Sequence, residues 1–86
     1  MKLPVIKNLV EFIEKNDEDF VEEAIQVLEH VSLSKGLKDE DLDTIGELLS
    51  NMYGSLEVTK LVKSGTTQKE ALNTFMQRVL GSIDKS

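Results

Sequence analysis

"GELLSNMYGSLEVTKLV", residues 46–62, decides the fold, because it reads as a helix yet carries Gly46 and Gly54 in its interior. Each interior glycine costs about 1 kcal/mol relative to alanine, so the pair needs a physical reason. At about 100° per residue, with Gly46 at about 0°, Leu42, Ile45, Leu49, Met52, Tyr53 and Leu56 fall between about −20° and −120°. Gly46, Ser50 and Gly54 lie beside that apolar face at about 0°, 40° and 80°, a slanting row of small side chains into which another helix can settle. Beyond Gly54 the stripe turns over. Val58, Leu61 and Val62 fall at about 120°, 60° and 160°, while Lys60 and Lys63 occupy the former apolar side.

Two structures satisfy that rotation. The helix breaks near Gly54-Ser55, or a single helix over about 39–64 is buried on different sides along its length. The second would be roughly 40 Å long, more than the width of a compact domain of this size, so a second chain would have to cover part of it. The sequence therefore predicts a long third helix in an interlocked homodimer, with a kinked monomer as the alternative. Its interface is expected at Gly46, Leu49, Ser50, Met52, Tyr53, Gly54, Leu56, Val58, Leu61 and Val62, the last three packing against the other subunit or the last helix.

The flanking segments are also helical in period. Pro4 opens a first helix over about 4–15, with Val5, Ile6, Leu9, Val10, Phe12 and Ile13 as its apolar face. Asn16 or Asp17 caps a second over about 17–34, where Phe20, Val21, Ala24, Ile25, Leu28 and Val31 form the stripe and Gly36 the stop. Asp39-Glu40-Asp41 starts the third helix and Lys63-Ser64-Gly65 ends it. Thr67 and Glu70 form a capping box for a fourth over about 68–82, with Ala71, Leu72, Phe75, Met76, Val79 and Ile83 at helical spacing and a frayed tail at Asp84-Lys85-Ser86. No strand signal or linker interrupts the 86 residues, so the expectation is one all-α domain of four amphipathic helices spanning 1–86.

Composition narrows the function. There is no cysteine, which removes disulfides and thiolate metal sites. No apolar run approaches the roughly 18 residues of a membrane span, and the expected setting is the cytoplasm, away from membranes. The net charge of −6 is uneven: residues 1–43 hold twelve acids and five bases, and residues 44–86 four acids and five bases. An acidic half joined to a near-neutral half lacks the basic footprint that nucleic acid requires. It suits an adaptor for a basic protein partner, although solvated helix faces carry such acids as a matter of course.

Candidate chemistry is sparse. His30 is the one histidine, and the Glu-x-x-His pattern of a di-iron bundle fails because Val27 stands where the glutamate belongs. Asp39-x-Asp41-x-Asp43 has the opening of a calcium loop, but Thr44 and Ser50 occupy the positions that need glycine and a bidentate glutamate. No phosphate-binding glycine loop or nucleophile elbow is present. "SLEVTKLV", residues 55–62, resembles the stretch that follows the prosthetic-group serine of acyl carrier proteins, which implies phosphopantetheine on Ser55 at a helix start. Gly54 and Lys60 depart from that pattern, since an acid is expected at both places.

Taken whole, "MKLPVIKNLVEFIE", "LKDEDLDTIGELLSNMYGSLEV" and "KEALNTFMQRVLGSIDK" resemble a family of small uncharacterised helical proteins from Bacteroidota, which brings no catalytic residues to carry over. The order of a glycine-bearing long helix, a turn and a last amphipathic helix is similar to YejL-like proteins, which implies an intertwined helical dimer. The expectation is thus a non-enzymatic, homodimeric interaction protein without cofactor or metal. The alternatives are a carrier protein modified at Ser55 and an acidic adaptor.

Overall fold

The computed structural model describes the backbone of residues 2–84 and the side chains of residues 2–79. It contains four α-helices: α1 (Leu3–Lys15), α2 (Glu18–Val31), α3 (Asp39–Lys63) and α4 (Gln68–Asp84). No strand occurs among the described residues, so the fold is all-α, as the hydrophobic period predicts. The expected place of Ile83 in the α4 stripe and the expected fraying of Lys85-Ser86 lie outside the described residues.

Local chemistry sets most of the helix ends. Pro4 stands in the first turn of α1, where its missing N–H is not needed. Asp17 caps α2 by accepting the Asp19 N–H at 3.2 Å. At the start of α3 the Lys38 N–H donates to the Asp41 carboxylate at 3.1 Å, and Asp39, Glu40 and Asp41 all sit in the positive first turn. The end of α3 is a Schellman motif: the Gly65 N–H donates to the Val62 carbonyl and the Thr66 N–H to the Leu61 carbonyl, with Gly65 at φ +109. Of the predicted capping box at α4, Thr67 Oγ1 accepts the Glu70 N–H at 3.2 Å. The end of α2 differs from expectation. The helix stops at Val31, where Leu33 and Ser34 donate three residues back, to His30 and Val31, and tighten the chain into turns. Gly36, with φ +90, serves the loop that follows instead of the helix end.

α3 is the axis on which the other three helices pack. It is continuous through Gly54, as the long-helix reading expects, and the alternative of a break there does not hold. α1 runs alongside it in the same direction, with Lys2 at Asn51 and Ile6 at Gly54. α2 runs antiparallel, with Glu18 at Lys63 and Glu29 at Tyr53. The short turn at Ser64–Thr67 folds α4 back so that Phe75 also reaches Gly54.

The rotating stripe is resolved inside one chain, which corrects the inference that its turnover requires a second. Leu49, Met52 and Leu56 pack against Ile13, Val21 and Ile25 of α1 and α2. Val58, Leu61 and Val62 pack in a separate cluster with Ile6, Val10, Ala71, Leu72 and Phe75 of α1 and α4. A 25-residue helix fits within one subunit because the chain is a slab of 44 × 36 × 17 Å, not a sphere. Its radius of gyration is 13.9 Å, against about 12 Å for a compact domain of this length.

The two glycines therefore have different roles. A Cβ on Gly54 would lie 3.0 Å from Phe75 Cζ and 3.1 Å from Ile6 Cδ1, whereas one on Gly46 meets nothing within 4 Å. Gly46→Ala should stabilise the fold by up to about 1 kcal/mol through helix propensity alone. Gly54→Leu should destabilise it by about 1–3 kcal/mol or more through overpacking. Thermal unfolding of the pair checks this, the two midpoints moving in opposite directions.

Candidate functional site

The inner surface of α3 is built from small and polar residues. Asn51, Ser55 and Thr59 are buried, four residues apart, beside Gly54 and Val58. Each has a hydrogen-bond partner, as burial requires. Ser55 Oγ donates to the Met52 carbonyl at 2.7 Å, and Thr59 Oγ1 to the Ser55 carbonyl at 2.8 Å. Asn51 Oδ1 accepts the Lys2 backbone N–H at 2.8 Å, so a buried amide of α3 holds the start of α1. Of the expected Gly46/Ser50/Gly54 ridge, Gly54 lies on the small-residue surface against which α1 and α4 pack, beside this row, whereas Gly46 is exposed and Ser50 half-buried.

That placement removes the carrier reading. Ser55 has no exposed surface, and it sits mid-helix with its hydroxyl bonded to its own backbone. A prosthetic group needs a hydroxyl at a helix start that a transferase can reach, and Ser55 offers neither.

The residues expected to meet a second chain are mostly engaged within this one. Leu49, Met52 and Leu56 serve the α1–α2 cluster, and Gly54, Val58, Leu61 and Val62 serve α1 and α4. Tyr53 donates its hydroxyl to Glu29 Oε2 at 2.9 Å, tying α3 to α2. Gly46 is exposed and Ser50 half-buried. The physical reason for the difference is that α1, α2 and α4 flank α3 on two sides and use the apolar positions that looked spare.

The most exposed large apolar side chains lie on α2 and in the loop after it, with Phe12 of α1 beside them, while Leu42, Leu48 and Tyr53 of α3 are exposed to about the same extent as Phe12. Phe20 is 57% exposed, Val27 61%, Leu33 78% and Phe12 41%, and Val31 is exposed beside them. In α2 the core takes Val21 and Ile25, while Phe20 and Val31, expected in the core stripe, face outward. Phe12 and Phe20 meet edge to face with ring centroids 5.9 Å apart, a favoured aromatic geometry. They border an open groove of about 330 Å³ that Leu9, Val21, Ala24 and Met52 also line. The sequence signal was present, since Phe20, Ala24, Val27 and Val31 share a helical face, but Val27 was not counted in the stripe.

Charged groups near these helices form surface contacts. Lys63 Nζ lies 3.2 Å from Glu18 Oε1, and Arg78 Nη1 lies 3.6 Å from Glu57 Oε2. Exposed pairs of this kind contribute about 0–1 kcal/mol. His30 is exposed near the end of α2. Among the described residues no three histidine, aspartate or glutamate side chains converge to hold a metal, and no described helix is long and apolar enough to cross a membrane.

Fold and surface together define a small all-α protein in which three helices pack on one long central helix. The chain belongs to the family described as a family of unknown function, DUF6952, which matches residues 1–84. No curated protein and no solved structure is found to be similar to it.

Two contacts can be tested directly. Asn51→Ala leaves the Lys2 N–H without its acceptor and should cost about 1–3 kcal/mol, lowering the melting temperature by several degrees. The Glu29 carboxylate accepts the Tyr53 hydrogen bond and holds the phenol above its ordinary titration range. A phenol with a raised folded pKa favours the folded state below its unfolded pKa, and that contribution is lost as pH rises through the folded value. Tyr53 is the one tyrosine and there is no tryptophan, so phenolate absorbance reports it alone. Glu29→Ala should shift that alkaline transition downward.

Proposed function

We propose that this protein is a non-enzymatic interaction module that works as a homodimer, and that it associates through the outer face of α1 and α2. The carrying observation is the exposed apolar stripe of Phe12, Phe20, Val27, Val31 and Leu33 on one side of the slab. Scattered apolar residues are ordinary on any surface, but a contiguous aromatic and aliphatic patch marks an interaction site. The total surface supports the reading. The chain exposes 6096 Å², whereas a compact monomer of 9.6 kDa exposes about 5,100 Å². The excess accompanies the slab shape, which leaves broad faces open for a partner.

Sedimentation equilibrium over a dilution series tests it. The wild-type protein should show a reversible dimer. The Phe20→Glu/Val27→Glu double variant should remain helical, because both side chains are exposed, and sediment as a monomer. A wild-type chain that stays monomeric at the highest concentrations overturns the reading. A second reading, an adaptor for a basic protein, draws on Asp19 and Glu23, which stand on α2 beside the stripe. It requires partner capture that weakens steeply with salt.

A further inference from the structure

We infer that the open groove between the N-terminal turns of α1 and α4 binds a small amphiphilic carboxylate, an apolar body with one carboxylate head. The groove has a volume of about 600 Å³, within the range of about 300–1,000 Å³ usual for small-molecule sites. Leu3, Pro4 and Leu72 give it an apolar wall, and Lys7 and Lys69 bring the charge. Leu3 is 39% exposed, so apolar surface remains there for an occupant to cover. None of the lining residues belongs to the Phe12–Phe20 stripe, and binding here is separate from self-association.

The charge of the groove runs against that of the chain. Sixteen acids against ten bases give a net charge of −6. Other clefts carry carboxylates accordingly: Glu14, Asp17 and Glu18 beside Lys63, and Asp43 and Glu47 beside Lys2. No acidic side chain lines the α1–α4 groove, where the remaining polar side chains are the neutral amides of Gln68 and Asn73. Lys63 and Arg78 each lie close to a carboxylate, but among the described residues neither Lys7 nor Lys69 does. Two unpaired cations beside an apolar wall favour an anionic head on an apolar body and reject a cationic one.

Gln68 is an independent sign of a missing partner. Its Nε2 is shut off from solvent and has no hydrogen-bond partner, whereas the buried Asn51, Ser55 and Thr59 are all partnered. Buried donors without an acceptor are rare and require an explanation. Gln68 forms part of the groove wall, so rotation of its terminal amide presents that donor to an oxygen of the occupant. The backbone selects carboxylate over phosphate, because a phosphate at a helix N-terminus draws on free N–H groups. At α1, Pro4 has none, and Val5 and Ile6 donate to the Lys2 carbonyl. At α4, Thr67 accepts the N–H groups of Glu70 and Ala71. Side-chain donors carry the site: two ammonium groups and one amide for two oxygens.

Titration calorimetry of the full chain with octanoate tests this. One octanoate should bind per subunit. Acetate, which lacks the apolar body, and octylammonium, which reverses the charge, should bind at least tenfold more weakly. Lys7→Gln/Lys69→Gln, at two exposed positions, should keep the wild-type melting temperature and weaken octanoate at least tenfold. Gln68→Ala should weaken it at least threefold. A ¹H–¹⁵N spectrum, which needs no variant, should show the Gln68 side-chain amide moving until octanoate saturates the site. Absence of saturable octanoate binding overturns the inference, as does equal affinity for octylammonium or for the double lysine variant. Shifts confined to the Phe12–Phe20 groove overturn the location. Octyl phosphate binding tenfold tighter than octanoate overturns the carboxylate class.

Discussion

Much of the structure depends on how closely α1 and α4 approach α3 at Gly54. Phe75 and Ile6 both reach the space that a side chain there would fill. Two helices can converge on one point of a third only where the backbone is bare, because a Cβ holds a neighbouring helix away. The residues around that point follow the same constraint. Asn51, Ser55, Val58 and Thr59 are compact, and the hydroxyls of Ser55 and Thr59 fold back onto carbonyls of their own helix. Packing around Ser55, Val58 and Thr59 is then apolar in effect although two of the three side chains are polar in name.

That geometry explains the shape of the molecule. Because α3 is buried on two flanks, its apolar positions wind around it, one set facing α2 and the other facing α1 and α4. The three outer helices lie across one long axis instead of closing around a common centre, and the product is a slab 17 Å thick. A small chain arranged in this way buries less of its surface than a sphere would, and small domains are already marginal in this respect. The most exposed apolar positions, Phe20 and Val27, fall on α2, with Leu33 in the loop after it.

Many of the element boundaries are legible in the sequence because they depend on contacts within a few residues. Pro4 at the entry to α1, Asp17 at α2, the acids of Asp39–Asp41, and the Lys63-Ser64-Gly65 stop each act locally and appear where they were expected. The end of α2 was less legible, because Gly36 looked like a cap while the chain had already tightened at Leu33 and Ser34. Within the candidate site, Thr59 was hidden for a related reason. A hydroxyl that bonds its own helix is compatible with either burial or solvent, and periodicity counts it as polar.

The sequence by itself determined that this protein is four helices, roughly where each begins and ends, and that the apolar face of the third turns over past Gly54. These follow from caps, glycines and a helical period, all of them short-range. Tertiary structure alone decided what covers each face. Whether a rotated stripe meets a second chain or three helices of its own depends on where distant segments fold back, and nothing within a helix encodes that. The same step assigned Gly54 to a crowded crossing and Gly46 to solvent, although the two residues stand in similar surroundings along the chain.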